Sequence, residues 1–249
     1  LNYAEALREQ ARRGGGSVVE EDGIVATLAA HPHPVVNNAI RMDRRIDAET
    51  CLDRIVNFYV PRGHGYTVVL RLATDDSDLG EAAAGEGLGE LAVLPAMAIE
   101  APPAEQAPPS GCRISWVSDE ASLADYRSVV ERAWETYEIP GEATGAAVGT
   151  QPLPPHIHAA LLYAGDRPVA GALVLLSHGI AGVYWVSTLE EARGRGYAEV
   201  CTRAVTRRAF QLGARAVCLQ ATPMGEPVYA KIGFKTIGTY RLMAAFPDD

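Results

Sequence analysis

The stretch that decides the fold is Thr188-Leu189-Glu190-Glu191-Ala192-Arg193-Gly194-Arg195-Gly196-Tyr197-Ala198. Before it, 183–188 is an apolar run of strand length. After it, apolar residues at 197, 200, 201, 204, 205, 209 and 212 recur with helical period and stop at Gly213. A strand therefore feeds through a glycine turn straight into a helix. Glycines let the backbone turn tightly and expose successive N–H groups, and the helix start adds unpaired donors and a positive dipole end. Together these make a phosphate cradle. Arg193, Arg195, Arg203, Arg207 and Arg208 fall within sixteen residues against Glu199 alone, a net +4 in a chain of −9. No G-x-G-x-x-G or G-K-[ST] spacing is present, which excludes the dinucleotide and Walker loops. An ordinary turn leading into a solvated basic helix face is the competing reading.

The 249 residues predict one or two domains with a real core, and 48% apolar with 21% charged residues is ordinary for a globular chain. With 22 Lys and Arg against 31 Asp and Glu, the overall field repels polyanions, so neither a nucleic acid nor an acidic membrane surface is an expected partner. Cys51, Cys112, Cys201 and Cys218 show no C-x-x-C spacing, which suits buried free thiols and a cytoplasmic location. No run approaches the ~18 apolar residues of a membrane span, and 1–13 is amphipathic rather than signal-like. His31-x-His33 and His156-x-His158 lack accompanying carboxylates or thiols, so no metal site is expected.

Residues 101–111 carry four prolines and little that packs, which predicts a linker between a first domain, 1–100, and a second, 112–249. In the second, strands are expected at 113–117, 158–163, 168–176, 183–188, 216–221 and 234–243. Helices are expected at 120–136, 197–212 and 226–232, and the Gly- and Pro-rich 140–155 reads as a loop with at most a short helix. The first half repeats part of this plan. Gly87-Leu88 precedes a strand ending at Met97 as Gly233-Phe234 precedes one ending at Met243, both at an offset of 146. Ala73-Thr74 matches Ala221-Thr222 at 148, following strands 67–72 and 216–220, and Cys51 matches Cys201 at 150. Drifting offsets with a shared element order point to duplication.

The glycine turn resembles the acetyl-CoA loop of the GNAT (Gcn5-related) N-acetyltransferases, [RQ]-x-x-G-x-[GA], with Arg193, Gly196 and Ala198 at its fixed positions. Pro227-Val228-Tyr229-Ala230-Lys231-Ile232-Gly233-Phe234 resembles that family's tyrosine-bearing helix and following Gly-Phe, and the resemblance covers about 112–243. The family's Asn a few residues before the tyrosine is absent, with Gly225 nearby. The resemblance implies an α/β fold, a mixed and mostly antiparallel sheet flanked by helices, with a second, degenerate GNAT-like domain ahead of it. It also implies that strands 183–188 and 216–221 splay apart. Backbone groups of Val186, Ser187 and Thr188 would then bond the pantetheine arm of acetyl-CoA, and the amides of Gly194, Arg195, Gly196, Tyr197 and Ala198 would hold the pyrophosphate, with Arg193 opening the cofactor-binding loop. The first half's counterpart, 41–47, has no glycine, so one cofactor site is expected.

In such a site an amine attacks the thioester directly and Tyr229 protonates the leaving thiolate. At pH 7, protonating a thiol of pKa ~8.5 is worth about 2 kcal/mol, whereas deprotonating a lysine-like amine costs about 4.6 kcal/mol. A base or a pKa-lowering pocket is therefore the larger demand. Glu190 and Glu191 are candidate bases, and Trp134 and Tyr137 are candidates to line the acceptor cleft, equally readable as a solvated loop face and as helix packing. The acceptor, a small-molecule or protein amine, stays open, with the chain's acidity favouring a cationic one. A non-catalytic acetyl-CoA sensor is the alternative, and the first half could also serve as a homodimer interface.

Overall fold

The computed structural model describes residues 1–71 and 76–247. The first half runs α1 (Asn2–Arg13), β1 (Ser17–Glu21), β2 (Ile24–Leu28), β3 (Asn38–Arg41), α2 (Ala48–Tyr59), β4 (Tyr66–Arg71), α3 (Ser77–Gly85) and β5 (Gly89–Ile99). The second runs β6 (Cys112–Trp116), α4 (Glu120–Glu135), α5 (Gly141–Val148), β7 (Ile157–Ala164), β8 (Arg167–Ser177), β9 (Ile180–Thr188), α6 (Tyr197–Gln211), β10 (Val217–Gln220), α7 (Glu226–Ile232) and β11 (Lys235–Ala245). The α/β class and the mostly antiparallel sheet are as the sequence implies. The expected strand 67–72 runs to Arg71; Leu72 and the Ala73-Thr74 pair lie outside the described residues.

The eleven strands among the described residues form one sheet, ordered β1-β2-β3-β4-β11-β5-β10-β9-β8-β7-β6. Only β3–β4 and β9–β10 are parallel. The order hairpin, strand, helix, strand, helix, strand occurs twice, as β1-β2-β3-α2-β4-α3-β5 and as β7-β8-β9-α6-β10-α7-β11. The final strands cross over between the halves. β5 lies between β10 and β11, and β11 lies between β4 and β5.

Period-two burial fixes the faces. Ile24, Ala26, Ala39, Val68, Leu70 and Met243 pack under α2 and α3, while the intervening Val25, Ile40, Val69 and Leu242 pack under α1. Helix α1 buries Ala4, Leu7 and Ala11 along one stripe and ties its other side together through Arg8, Arg12, Glu5 and Glu20. Its first residues reach the second half: Asn2 Nδ2 donates to Leu175 O and Ser177 Oγ. Capping is legible at α4, where Asp119 and Ser122 form a reciprocal box.

The Gly- and Pro-rich 140–155 contains the short helix α5, eight residues of Gly, Ala and Thr character with little amphipathic period. Its glycines are what let it form, because a Cβ at Gly145 would lie 1.9 Å from Glu131 Oε1 of α4. The helix is held by close approach, which a hydrophobic pattern does not report.

In the first half, β3 and β4 pair from Asn38–Thr67 to Ile40–Val69. Just past that point the strand ends are locked by charge. The Arg41 side chain, 1% exposed, bonds Asp76 (3.0 Å) and Asp78 (2.9 and 2.6 Å), and Asp76 also accepts from the Arg71 backbone and side chain. Hydrogen bonds from Arg41 hold the Asp78 carboxyl down at about 2. That contribution to stability is complete above the ordinary carboxylate range near ~4 and fades as pH falls toward 2. Arg41→Ala strands the fully buried Asp76 and is expected to cost about 3 kcal/mol in urea unfolding. Asp78→Asn, at a half-exposed site, is expected to cost under about 1 kcal/mol. Equal costs for the two would show that burial of the pair does not govern this corner.

Candidate active site

Strands β9 and β10 are neighbours for only two residue pairs, Ala181–Val217 and Gly182–Cys218. Beyond Gly182, β10 stays with β5 through Gln220 while β9 stays with β8 to Thr188, so a wedge opens between them. The splay spans 183–188, and Val186, Ser187 and Thr188 lie within it.

At the wide end of the wedge lies the glycine turn. Gly194 and Gly196 have φ of +75° and +77°, and a Cβ at either would meet nothing within 4 Å. Helix α6 has no side-chain cap. Among the described residues, no hydrogen bond is made to the backbone N–H groups of Gly194, Arg195, Gly196, Tyr197 or Ala198. These are the orphan donors of a helix start, left open to an anion.

The other expected site residues are distributed as follows. Arg193 turns away from the cradle: its guanidinium donates to Thr136 Oγ1 (2.7 Å) and Ala133 O (3.2 Å) and sits 5.4 Å from the Tyr137 ring centre. Its place in the loop is that of a strut between the turn and the end of α4. Arg195 is exposed, within 3.4 Å of Glu191 O. The Tyr197 ring is buried, its hydroxyl accepting from Cys112 Sγ at 3.6 Å. Ser187 accepts from Trp134 Nε1 (3.1 Å), and the buried Thr188 Oγ1 has no partner among the described residues. Glu191 pairs with Arg132 and Arg167, and Glu190 is exposed beside it in the turn 190–192.

Trp185, which sequence reasoning passed over, sets the geometry of the wedge's wall. It has φ +50°, and with Val186 it stands opposite the single residue Ala172, a β-bulge. The bulge carbonyl is held by the Tyr126 hydroxyl at 3.1 Å. Alternation is broken here. Tyr184 reaches α1, bonding Asn2 Oδ1 at 2.7 Å, and Trp185 reaches α4 and α5, edge-on to Trp134 at 5.3 Å and packed with Ala143 and Ala147. Those helices share one face, since Arg13 Nε of α1 bonds Val148 O at 2.8 Å. Two adjacent aromatic residues in a strand are the signal that could have pointed to it.

Tyr229 of α7 lies on the other side of the wedge, 8% exposed, its ring 6.2 Å from Phe234 and directly over Gly225. Burial pushes its phenol up, so it stays protonated, and among the described residues its hydroxyl makes no hydrogen bond. Tyr137 and Met224 meet at 3.4 Å nearby. The paired histidines do not gather ligands: His33 Nδ1 caps Val35 N, and His156 faces Glu9 at 3.7 Å. Among the described residues no group of three or more His, Cys, Asp or Glu could hold a metal, and no helix is long and apolar enough to cross a membrane.

An open parallel pair ending in an uncapped glycine turn is what the resemblance implies, and residues 119–227 match the acetyltransferase (GNAT) domain family. This region is a GNAT acetyltransferase domain. Solved structures agree in fold over nearly the whole chain. A GCN5-related N-acetyltransferase from Kribbella flavida has a TM-score of 0.75 at 19% identity, covering 99% of this chain and 96% of its own. A GCN5-related N-acetyltransferase from Sphaerobacter thermophilus gives 0.60 at 14% identity, covering 91% and 78%. A tandem GNAT protein from the clavulanic acid biosynthesis pathway gives 0.60 at 13%, covering 94% and 79%. No curated protein matches in sequence.

GNAT proteins use acetyl-CoA, and the turn fits its diphosphate through the unpaired backbone donors of 194–198, while the Arg193 side chain is engaged elsewhere. Gly196→Glu puts a Cβ at φ +77° and a carboxylate into the cradle, and is expected to weaken CoA binding by about 100-fold or more in calorimetry. Unchanged affinity would contradict the cradle.

Proposed function

We propose that the chain transfers an acetyl group from acetyl-CoA to a primary amine by direct attack, at one site in the second half. The observation that carries the reading is the wedge between β9 and β10 with unpaired amides at its mouth. The pantetheine arm bonds along Val186, Ser187 and Thr188, and the amides of 194–198 take the diphosphate. Arg193 acts by holding the turn. The amine lone pair attacks the carbonyl, a C–N bond forms, the C–S bond breaks, and Tyr229 gives its proton to the departing thiolate. Tyr229 regains a proton as the nitrogen loses one, so the products are the amide and free thiol. On this reading a backbone N–H near Val186 meets the developing oxyanion.

On this reading residues 1–100 are a degenerate copy, 101–111 the connection, and 112–249 the catalytic part. Support comes from the repeated element order and from the Arg41–Asp76–Asp78 cluster. That cluster stands just beyond the β3–β4 pairing, where the second half has its opening.

Tyr229→Phe is expected to lower kcat by about 100-fold, the lower end for a general acid, with acetyl-CoA affinity nearly constant. Full activity in this variant removes Tyr229 from the chemistry. Calorimetry is expected to count one CoA per chain; two would overturn the degenerate-copy reading. A sensor that binds acetyl-CoA without turnover is separated by CoA release across a panel of amines.

A further inference from the structure

Where the wedge narrows, three aromatic side chains meet from three elements: Tyr184 of β9, beside the Trp185 bulge, Tyr3 of α1 and Tyr240 of β11. Tyr3 stacks on Tyr184 at 6.2 Å and meets Tyr240 edge-on at 5.2 Å. Gly182 lets Asn2 and the Tyr184 hydroxyl close down on the strand, because a Cβ there would lie 2.1 Å from Asn2 Oδ1 and 2.4 Å from the Tyr184 hydroxyl. The Tyr184 hydroxyl is committed to Asn2, whereas those of Tyr3 and Tyr240 make no hydrogen bond among the described residues.

The electrostatics are unusual for a site facing a cation. The ionisable groups that act on these phenols are one another, Cys218 and Arg71, with no carboxylate among them. Burial pushes all three phenols up, so they stay neutral. The nearest candidate bases do not help, since Glu190 and Glu191 lie past the far end of β9 and Glu191 is already paired with two arginines. A charged ammonium entering here loses its hydration and gains no counter-ion, which favours the free amine.

We propose that this cluster is the acceptor subsite, and that it takes a small primary amine on an aromatic or apolar body, admitted as the free base and oriented by the Tyr3 and Tyr240 hydroxyls. The proposal rests on the acetyl-transfer reading above. It meets the deprotonation demand by desolvation rather than by a protein base, and it runs against the bias toward polycations that net charge alone suggests. Tyr3 and Tyr240 are positioning residues that select the acceptor.

The test compares benzylamine and phenethylamine with spermidine and free lysine, reading CoA release by the intact protein. The ring-bearing amines are expected to exceed the polycations by tenfold or more in kcat/KM. With benzylamine and the less basic para-nitrobenzylamine, the break in kcat/KM against pH is expected to move with the basicity of the amine. Tyr3→Phe and Tyr240→Phe keep the rings, and each is expected to raise the benzylamine KM severalfold while acetyl-CoA affinity holds. Preference for spermidine or lysine, a break that stays fixed between the two benzylamines, or unchanged KM in both variants overturns the subsite while leaving acetyl transfer intact. If no amine releases CoA although calorimetry still reads acetyl-CoA binding, acetyl transfer itself fails and the subsite with it.

Discussion

The wedge between β9 and β10 exists because two neighbouring strands answer to different partners. β10 is committed along its whole length to Ala96–Ile99 of β5, and β5 in turn to β11. β9 is committed to β8. Sheet twist makes these two allegiances diverge, so β9 and β10 keep contact for two residue pairs and then part. The strand that draws β10 away belongs to the first half of the chain. The first half therefore shapes the opening between β9 and β10 even though its own corresponding position is filled by charge.

The bulge at Trp185 is the second constraint. A regular strand would send Tyr184 and Trp185 to opposite faces. One extra residue sends both toward α1, α4 and α5, and the Tyr126 hydroxyl fixes that geometry by satisfying the carbonyl the bulge exposes. The backbone strain of a tryptophan at φ +50° is thereby spent where an aromatic wall is assembled. Local departure from regularity and the chemistry of the site coincide at one residue.

Much of this was legible in the sequence because local signals carry it. The glycine turn, the period of α6, the capped start of α4 and the repeat of Gly-Leu against Gly-Phe each depend on a few adjacent residues. What escaped depends on distance. Nothing in the composition of β5 or β11 says that each crosses into the other half, since strand patterns specify a face and not a neighbour. Arg193 was expected among the cofactor-binding residues because it holds a fixed position of the loop pattern, but Thr188 O, Ala133 O and Thr136 Oγ1 claim its guanidinium. Helix α5 was legible only as a short helix at most, because its glycines record proximity to α4 and not a hydrophobic period. Tyr3 escaped because the residue it faces, Tyr240, stands at the opposite end of the chain.

The interleaving of β5 and β11 also bears on how the molecule is made. During synthesis from the amino end, β4 emerges with one edge that β11 covers. Until residues 235–245 have been made, the nascent first half carries an unsatisfied strand edge along Tyr66–Arg71, the kind of edge that recruits other chains. Synthesis of β11 and closure of the sheet are thus the same event. A chain cut short before β11 has two incomplete halves, not one sound domain and one damaged one.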